Sequence, residues 1–150
     1  MPWVSEVKTE YKSPCYVRQT NYVLKKQGDD FTKVFELCGK VEDDFQPKCY
    51  VGLGNNAVIR STRDGTTEGV DANEGDQANG GNQTEFIRGV CMLGQETEAQ
   101  SRCFAGAVRQ LIFFYDNDVQ AKALCESLTR ADWRAACLQI TEEYMAKRRQ

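Results

Sequence analysis

Seven cysteines and no histidine define the chemistry open to this 150-residue chain. Without histidine there is no Cys–His or Ser–His–Asp activation of a nucleophile, and the commonest general base and zinc ligand are missing. The cysteines stand at Cys15, Cys38, Cys49, Cys91, Cys103, Cys125 and Cys137. Six of them form three close pairs, 38/49, 91/103 and 125/137, with members eleven or twelve residues apart. No two cysteines lie within four residues of each other, so the CxxC knuckles of zinc and iron–sulfur sites, and of redox-active dithiols, are absent. The pattern therefore predicts three disulfides, Cys38–Cys49, Cys91–Cys103 and Cys125–Cys137. Disulfides in turn imply an oxidising location: secreted, periplasmic or on a cell surface. Cys15 is left over: it belongs to a degenerate or truncated terminal repeat whose earlier half-hairpin is missing, or it is free, or it bonds another molecule.

The elements that must position these sulfurs can be read from the segments around them. The second cysteine of each pair opens a related stretch: CYVGLGNNAVIR (49–60), CFAGAVRQLIFF (103–114) and, more weakly, CLQITEEYMAKR (137–148); Cys15 opens a fourth, CYVRQTNYVLKK (15–26). Apolar residues at the first, second, fifth, ninth and tenth positions mark one helix face. The first cysteine of each pair closes another helical segment, FTKVFELC (31–38), TEFIRGVC (84–91) or DVQAKALC (118–125). Turns separate the two, at Asp43–Asp44 before Pro47, at Gly94 before Thr97, and at a Thr129/Asp132 pair resembling a capping box. These breaks distinguish the pattern from twin-cysteine hairpins, in which both cysteines of a pair lie on one helix. Gly52 and Gly106 occupy the same place in their copies, where the last copy has Ile140. A glycine–isoleucine exchange points to local packing, with a neighbouring helix brought close at the glycines.

The expected fold is all-α: about three antiparallel helical hairpins, each pinned by its disulfide, after a lone N-terminal helix over roughly 13–27. The hairpins cover roughly 30–61, 84–116 and 118–148, in one domain. Each disulfide closes a loop of about a dozen residues, worth about 2–3 kcal/mol. The steps Cys15–Cys49 and Cys103–Cys137 are both 34 residues, the period of helical-hairpin solenoids such as tetratricopeptide arrays, although their Trp, Leu-Gly and Ala signature is absent. The step Cys49–Cys103 is longer by about twenty residues. The excess falls on a polar, Gly/Asn/Asp-rich insertion over roughly 62–83, read as a loop.

That insertion holds the one metal candidate. Asp71, Asn73 and Asp76 place oxygen ligands near one another, like the first half of a calcium loop, but the twelfth position is Asn82 rather than glutamate. No other cofactor is implied. Asn82-Gln83-Thr84 is an N-glycosylation sequon.

A net charge of −3 and the lack of a basic stripe argue against nucleic acid as a partner, and no apolar run is long enough to cross a membrane. Lys147, Arg148 and Arg149 suit the last turn of a helix. The paired carboxylates Asp29–Asp30 and Asp43–Asp44 sit where helices need N-caps, and adjacent Glu142 and Glu143 do not share a face. Their best explanation is structural. The expected function is thus non-catalytic: a protein-interaction or structural module, its partner another protein or a second copy of itself. Tyr16, Tyr22 and Tyr50 are the candidate partner contacts. The apolar helix 103–115 should be central or covered. The competing expectations are end-to-end assembly into filaments or layers, calcium binding by the insertion, and an enzyme using carboxylates and tyrosine in a cleft between hairpins.

Overall fold

The computed structural model describes the backbone of residues 9–63 and 77–149, and the side chains of residues 17–62 and 83–149. Among the described residues there are seven α-helices and no strand. They run α1 (Thr9–Lys26), α2 (Phe31–Cys38), a 3-10 turn (Asp43–Phe45), α3 (Gln46–Arg63), α4 (Gln77–Cys91), α5 (Thr97–Tyr115), α6 (Val119–Glu126) and α7 (Ala131–Arg148). The heaviest packing is between α3 and α5. Helix α1 lies against α3, and α7 lies against α5 and α6.

The three disulfides are those the spacing predicts. Cys38–Cys49 joins α2 to α3, Cys91–Cys103 joins α4 to α5, and Cys125–Cys137 joins α6 to α7. Their Cα–Cα distances of 5.4–5.5 Å are ordinary for the bond.

The helix starts depart from expectation. Asp30 does cap α2, its carboxylate accepting from the Lys33 N–H at 3.1 Å. Asp43 and Asp44 instead lie inside the 3-10 turn, Thr97 is the first residue of α5, and Thr129 lies before α7, whose N-cap is Arg130. None of these three turns has a side-chain cap bond. A different device serves all three. Three residues before each second cysteine stands a long donor side chain that reaches back to carbonyls of the turn after the previous helix. Gln46 Nε2 donates to Gly39 O and Val41 O (3.0 and 3.2 Å), and Gln100 Nε2 donates to Gly94 O (2.7 Å) and more weakly to Met92 O. Arg134 Nη1 donates to Leu128 O and Thr129 O (2.7 and 3.1 Å). Each donor satisfies carbonyls of the turn itself, and each sits one helical turn ahead of a cysteine that is bonded back across the same turn.

Three glycines set the spacing of the long helices. A β-carbon on Gly54 of α3 would overlap the Cys103 carbonyl oxygen of α5 and come within 2.7 Å of the Ala107 nitrogen. One on Gly106 of α5 would overlap the Val51 carbonyl oxygen of α3. Gly52 meets α1 in the same way, at the Thr20 hydroxyl and 3.0 Å from Val17 O. The expected roles of Gly52 and Gly106 therefore hold, and Gly54 joins them in the tightest contact. Its place is taken by Val108 in α5.

Helix α5 is central. Cys103, Phe104, Ala105, Gly106, Ala107 and Val108 are buried in succession, with Phe104 and Ala105 keeping 4% and 8% exposure. The all-round apolar character ends before the helix does: Phe113 and Phe114 are 69% and 48% exposed.

Two buried polar networks cross-link the core. Arg60 of α3, 2% exposed, donates to Asp29 Oδ1 (3.0 and 3.2 Å), Asn21 Oδ1 (2.7 Å) and Asn56 Oδ1 (2.9 Å). It thereby fixes α1 and the α1–α2 turn on α3, a turn in which Gly28 and Asp29 both have positive φ. Gln83 Nε2 donates to Ser61 Oγ (3.0 Å), while its Oε1 accepts from Tyr115 (3.1 Å). This second network corrects the extent of the insertion. Residues expected to be loop as far as 83 include the first turns of α4, which begins at Gln77 because Gln83 has interior partners on α3 and α5.

Candidate functional site

Helices α5 and α7 meet without a glycine. Where α1–α3 and α3–α5 close through Gly52, Gly54 and Gly106, α7 carries Ile140 at the corresponding place and no glycine along its length. Side chains hold the two helices apart, and a furrow of ≈450 Å³ opens between them. Phe104, Ala105 and Val108 of α5 and Trp133, Ala136 and Ile140 of α7 form its apolar walls, with Leu128 and Cys137 also lining it. Phe104 and Trp133 meet edge to face at 6.1 Å, which fixes the indole. The rim holds Thr97, Ser101 and the exposed pair Glu98–Arg102, 3.7 Å apart one helical turn from each other.

The N-terminal end of the furrow is held by charge. Arg130 lies 4.6 Å over the Trp133 ring and bonds the Asp132 carboxylate at 2.8 and 3.2 Å. That hydrogen bond is the main reason the Asp132 pKa lies below its ordinary value. The far end of α7 is tied down by Arg148, which donates to Ile112 O at 2.9 Å and to the Asp116 carboxylate. A second hollow, lined by Val51 and Asn55 of α3, Arg109, Gln110 and Phe113 of α5 and Tyr144 of α7, lies where these three helices meet.

The furrow combines an apolar floor, an aromatic ring fixed by its neighbours, and a sparse polar rim. That combination binds apolar groups and orients them through few polar contacts. Its polar groups are hydroxyls and an exposed ion pair, and they include no nucleophile paired with a base.

The expected contact residues are distributed elsewhere. Tyr50 is 7% exposed and stacked on Phe35, with ring centroids 6.0 Å apart, and lines a separate hollow beside α2. Burial raises its pKa, with Glu96 and Glu98 adding to the effect. The tyrosine after the cysteine faces inward because the disulfide turns that side of α3 toward α2. Tyr22 is 45% exposed on α1, with Lys26 Nζ 5.4 Å from its ring centre, and it lines no part of the furrow. The side chains of Tyr16 and Cys15 lie outside the described residues, as do Asp71, Asn73 and Asp76. Among the described residues, no group of three or more acidic or cysteine side chains could hold a metal ion. Of the paired carboxylates, Asp29 holds Arg60, Asp30 caps α2, and Glu143 accepts from Gln139 at 3.1 Å. Trp133 and Ile140, the walls of the furrow, were not among the sequence-based candidates. The available signal was the loss of glycine in the last copy, which removes the close approach seen in the other two.

No family model matches this sequence, and neither curated proteins nor solved structures show a match to it.

Proposed function

We propose that the chain is a non-catalytic protein-interaction module of an oxidising compartment, built from three disulfide-stapled helical repeats, with the α5–α7 furrow as its binding face. The furrow carries this reading: an open apolar trough beside a fixed tryptophan, next to helix pairs brought into backbone contact at Gly52, Gly54 and Gly106. The repeat itself is a helix ending in cysteine, a turn, and a long helix that starts with a carbonyl-clamping donor three residues before its own cysteine. Gln46, Gln100 and Arg134 fill that donor position in turn. Stacked repeats of this kind commonly bind other chains along their surface.

End-to-end assembly is disfavoured at α7. Its outward residues Ala135, Gln139, Glu142, Glu143 and Ala146 are exposed and largely polar, the composition of a terminal cap.

The test is a displayed-peptide selection on the oxidised protein, with each binder then measured against Ala136→Glu, Ile140→Glu and Tyr22→Ala variants that keep the parent helical spectrum. Binders should lose at least about tenfold in affinity on the first two, equivalent to about 1.4 kcal/mol, and be unaffected by the third. Binders that ignore both furrow charges overturn the assignment of this face.

A further inference from the structure

We propose that Cys125–Cys137 is the thiol-exchange site of this protein, reached through the α5–α7 furrow. The inference goes beyond the interaction reading and does not depend on it. Exchange requires a thiolate to reach a disulfide sulfur, so access selects among otherwise similar bonds. Cys38, Cys49, Cys91, Cys103 and Cys125 are all 0% exposed, whereas Cys137 retains 5% and lines the furrow. At ≈450 Å³ the furrow admits a small dithiol or a cysteine side chain presented by another protein. The other two disulfides end at Cys49 and Cys103, on the two helices that pack most tightly, and the Cys103 backbone itself touches Gly54.

The surroundings also suit the departing sulfur. Thr141 Oγ1 lies 3.6 Å from Cys125 Sγ and now donates to Cys137 O at 2.9 Å. Rotation of its hydroxyl would supply a hydrogen bond to a thiolate forming at Cys125. In the first step, one thiolate of a dithiol reductant attacks Cys137 Sγ. A mixed disulfide to Cys137 forms, the Cys125–Cys137 bond breaks, and its electron pair leaves on Cys125 Sγ, which then takes a proton. In the second step, the other thiolate of the reductant attacks its partner sulfur in the mixed disulfide. Cys137 leaves as a thiolate and is protonated, and the reductant departs as a disulfide. Two electrons pass from the dithiol to the protein. The opened α7 keeps its tethers through Arg134 and Arg148.

The experiment treats the full chain with dithiothreitol under native conditions, alkylates free thiols at timed intervals and maps them by mass spectrometry. Cys125 and Cys137 should be labelled at least about tenfold faster than the four other paired cysteines. Ala136→Phe, which fills the furrow, should slow that labelling at least about threefold, while Ala135→Phe, exposed next to it but outside the lining, should not. If Ala136→Phe fails to fold, Ala105→Leu fills the furrow from α5 and takes its place. A different pair opening first, all three pairs opening together, or equal rates in the filled and control variants would overturn the proposal.

Discussion

The two seams of α5 have opposite constructions. Toward α3 the helix presents Gly106 to Val51 and receives Gly54 at Cys103, so backbones touch at these two glycines. Toward α7 it presents Phe104, Ala105 and Val108 to Trp133, Ala136 and Ile140, and the larger side chains leave a furrow. The same repeat position, three residues past the cysteine, is glycine in α3 and α5 and isoleucine in α7. Glycine at this position accompanies backbone contact between helices, and isoleucine accompanies an open seam. Closure costs helix propensity, about 1 kcal/mol for each glycine, and gains dense packing. An open boundary forgoes that packing and keeps an apolar face available.

The largest effect should come from forcing the closed seam. Gly54→Ala or Gly106→Ala must push backbone against backbone, and should cost about 3 kcal/mol or more in guanidinium unfolding. A loss below 1 kcal/mol would mean that this seam is as yielding as the other. Next come the disulfides. Serine at both 125 and 137 should lower stability by about 2–3 kcal/mol. Serine at both 91 and 103 should cost more, because hydroxyls would replace sulfur at two sites with no exposure in the tighter half of the molecule. Equal losses would erase the distinction between the seams. Gln100→Ala should cost about 1 kcal/mol by leaving the Met92 and Gly94 carbonyls without their donor. The smallest changes sharpen the contrast by sign. Gly89→Ala on α4, where an added β-carbon meets nothing within 4 Å, should raise stability by about 0.5–1 kcal/mol. Ala136→Leu, in the furrow, should change it by less than about 0.5 kcal/mol.

Much of the architecture was legible because the cysteines report it directly. Pairs eleven or twelve residues apart, separated by breaks at Pro47, Gly94 and Thr129, specified both the helices and the three bonds. Helix boundaries were less legible where a side chain's partner is remote. Gln83 reads as part of a polar loop until Ser61 and Tyr115 are known to be its neighbours. The caps misled for a related reason. Asp43, Thr97 and Thr129 have the right chemistry for helix starts, but the turns are closed by Gln46, Gln100 and Arg134, each three residues before a cysteine. The candidate site was the least legible part. Exposure of Tyr50 could not be judged without knowing that Phe35 covers it, and the furrow exists only through what α7 lacks.

The short reach of the three disulfides, separations of 11, 12 and 12 residues, bears on how the molecule is made. A chain delivered from its N-terminus into an oxidising space exposes Cys38 and Cys49 together well before Cys91 appears. Each native partner is then the nearest cysteine not yet consumed, and closing its small ring costs less entropy than reaching any later one. Biosynthesis can proceed as a sequence of local locks, set one after another. Among the six paired cysteines, scrambled pairings are disfavoured by ring size as well as by stability.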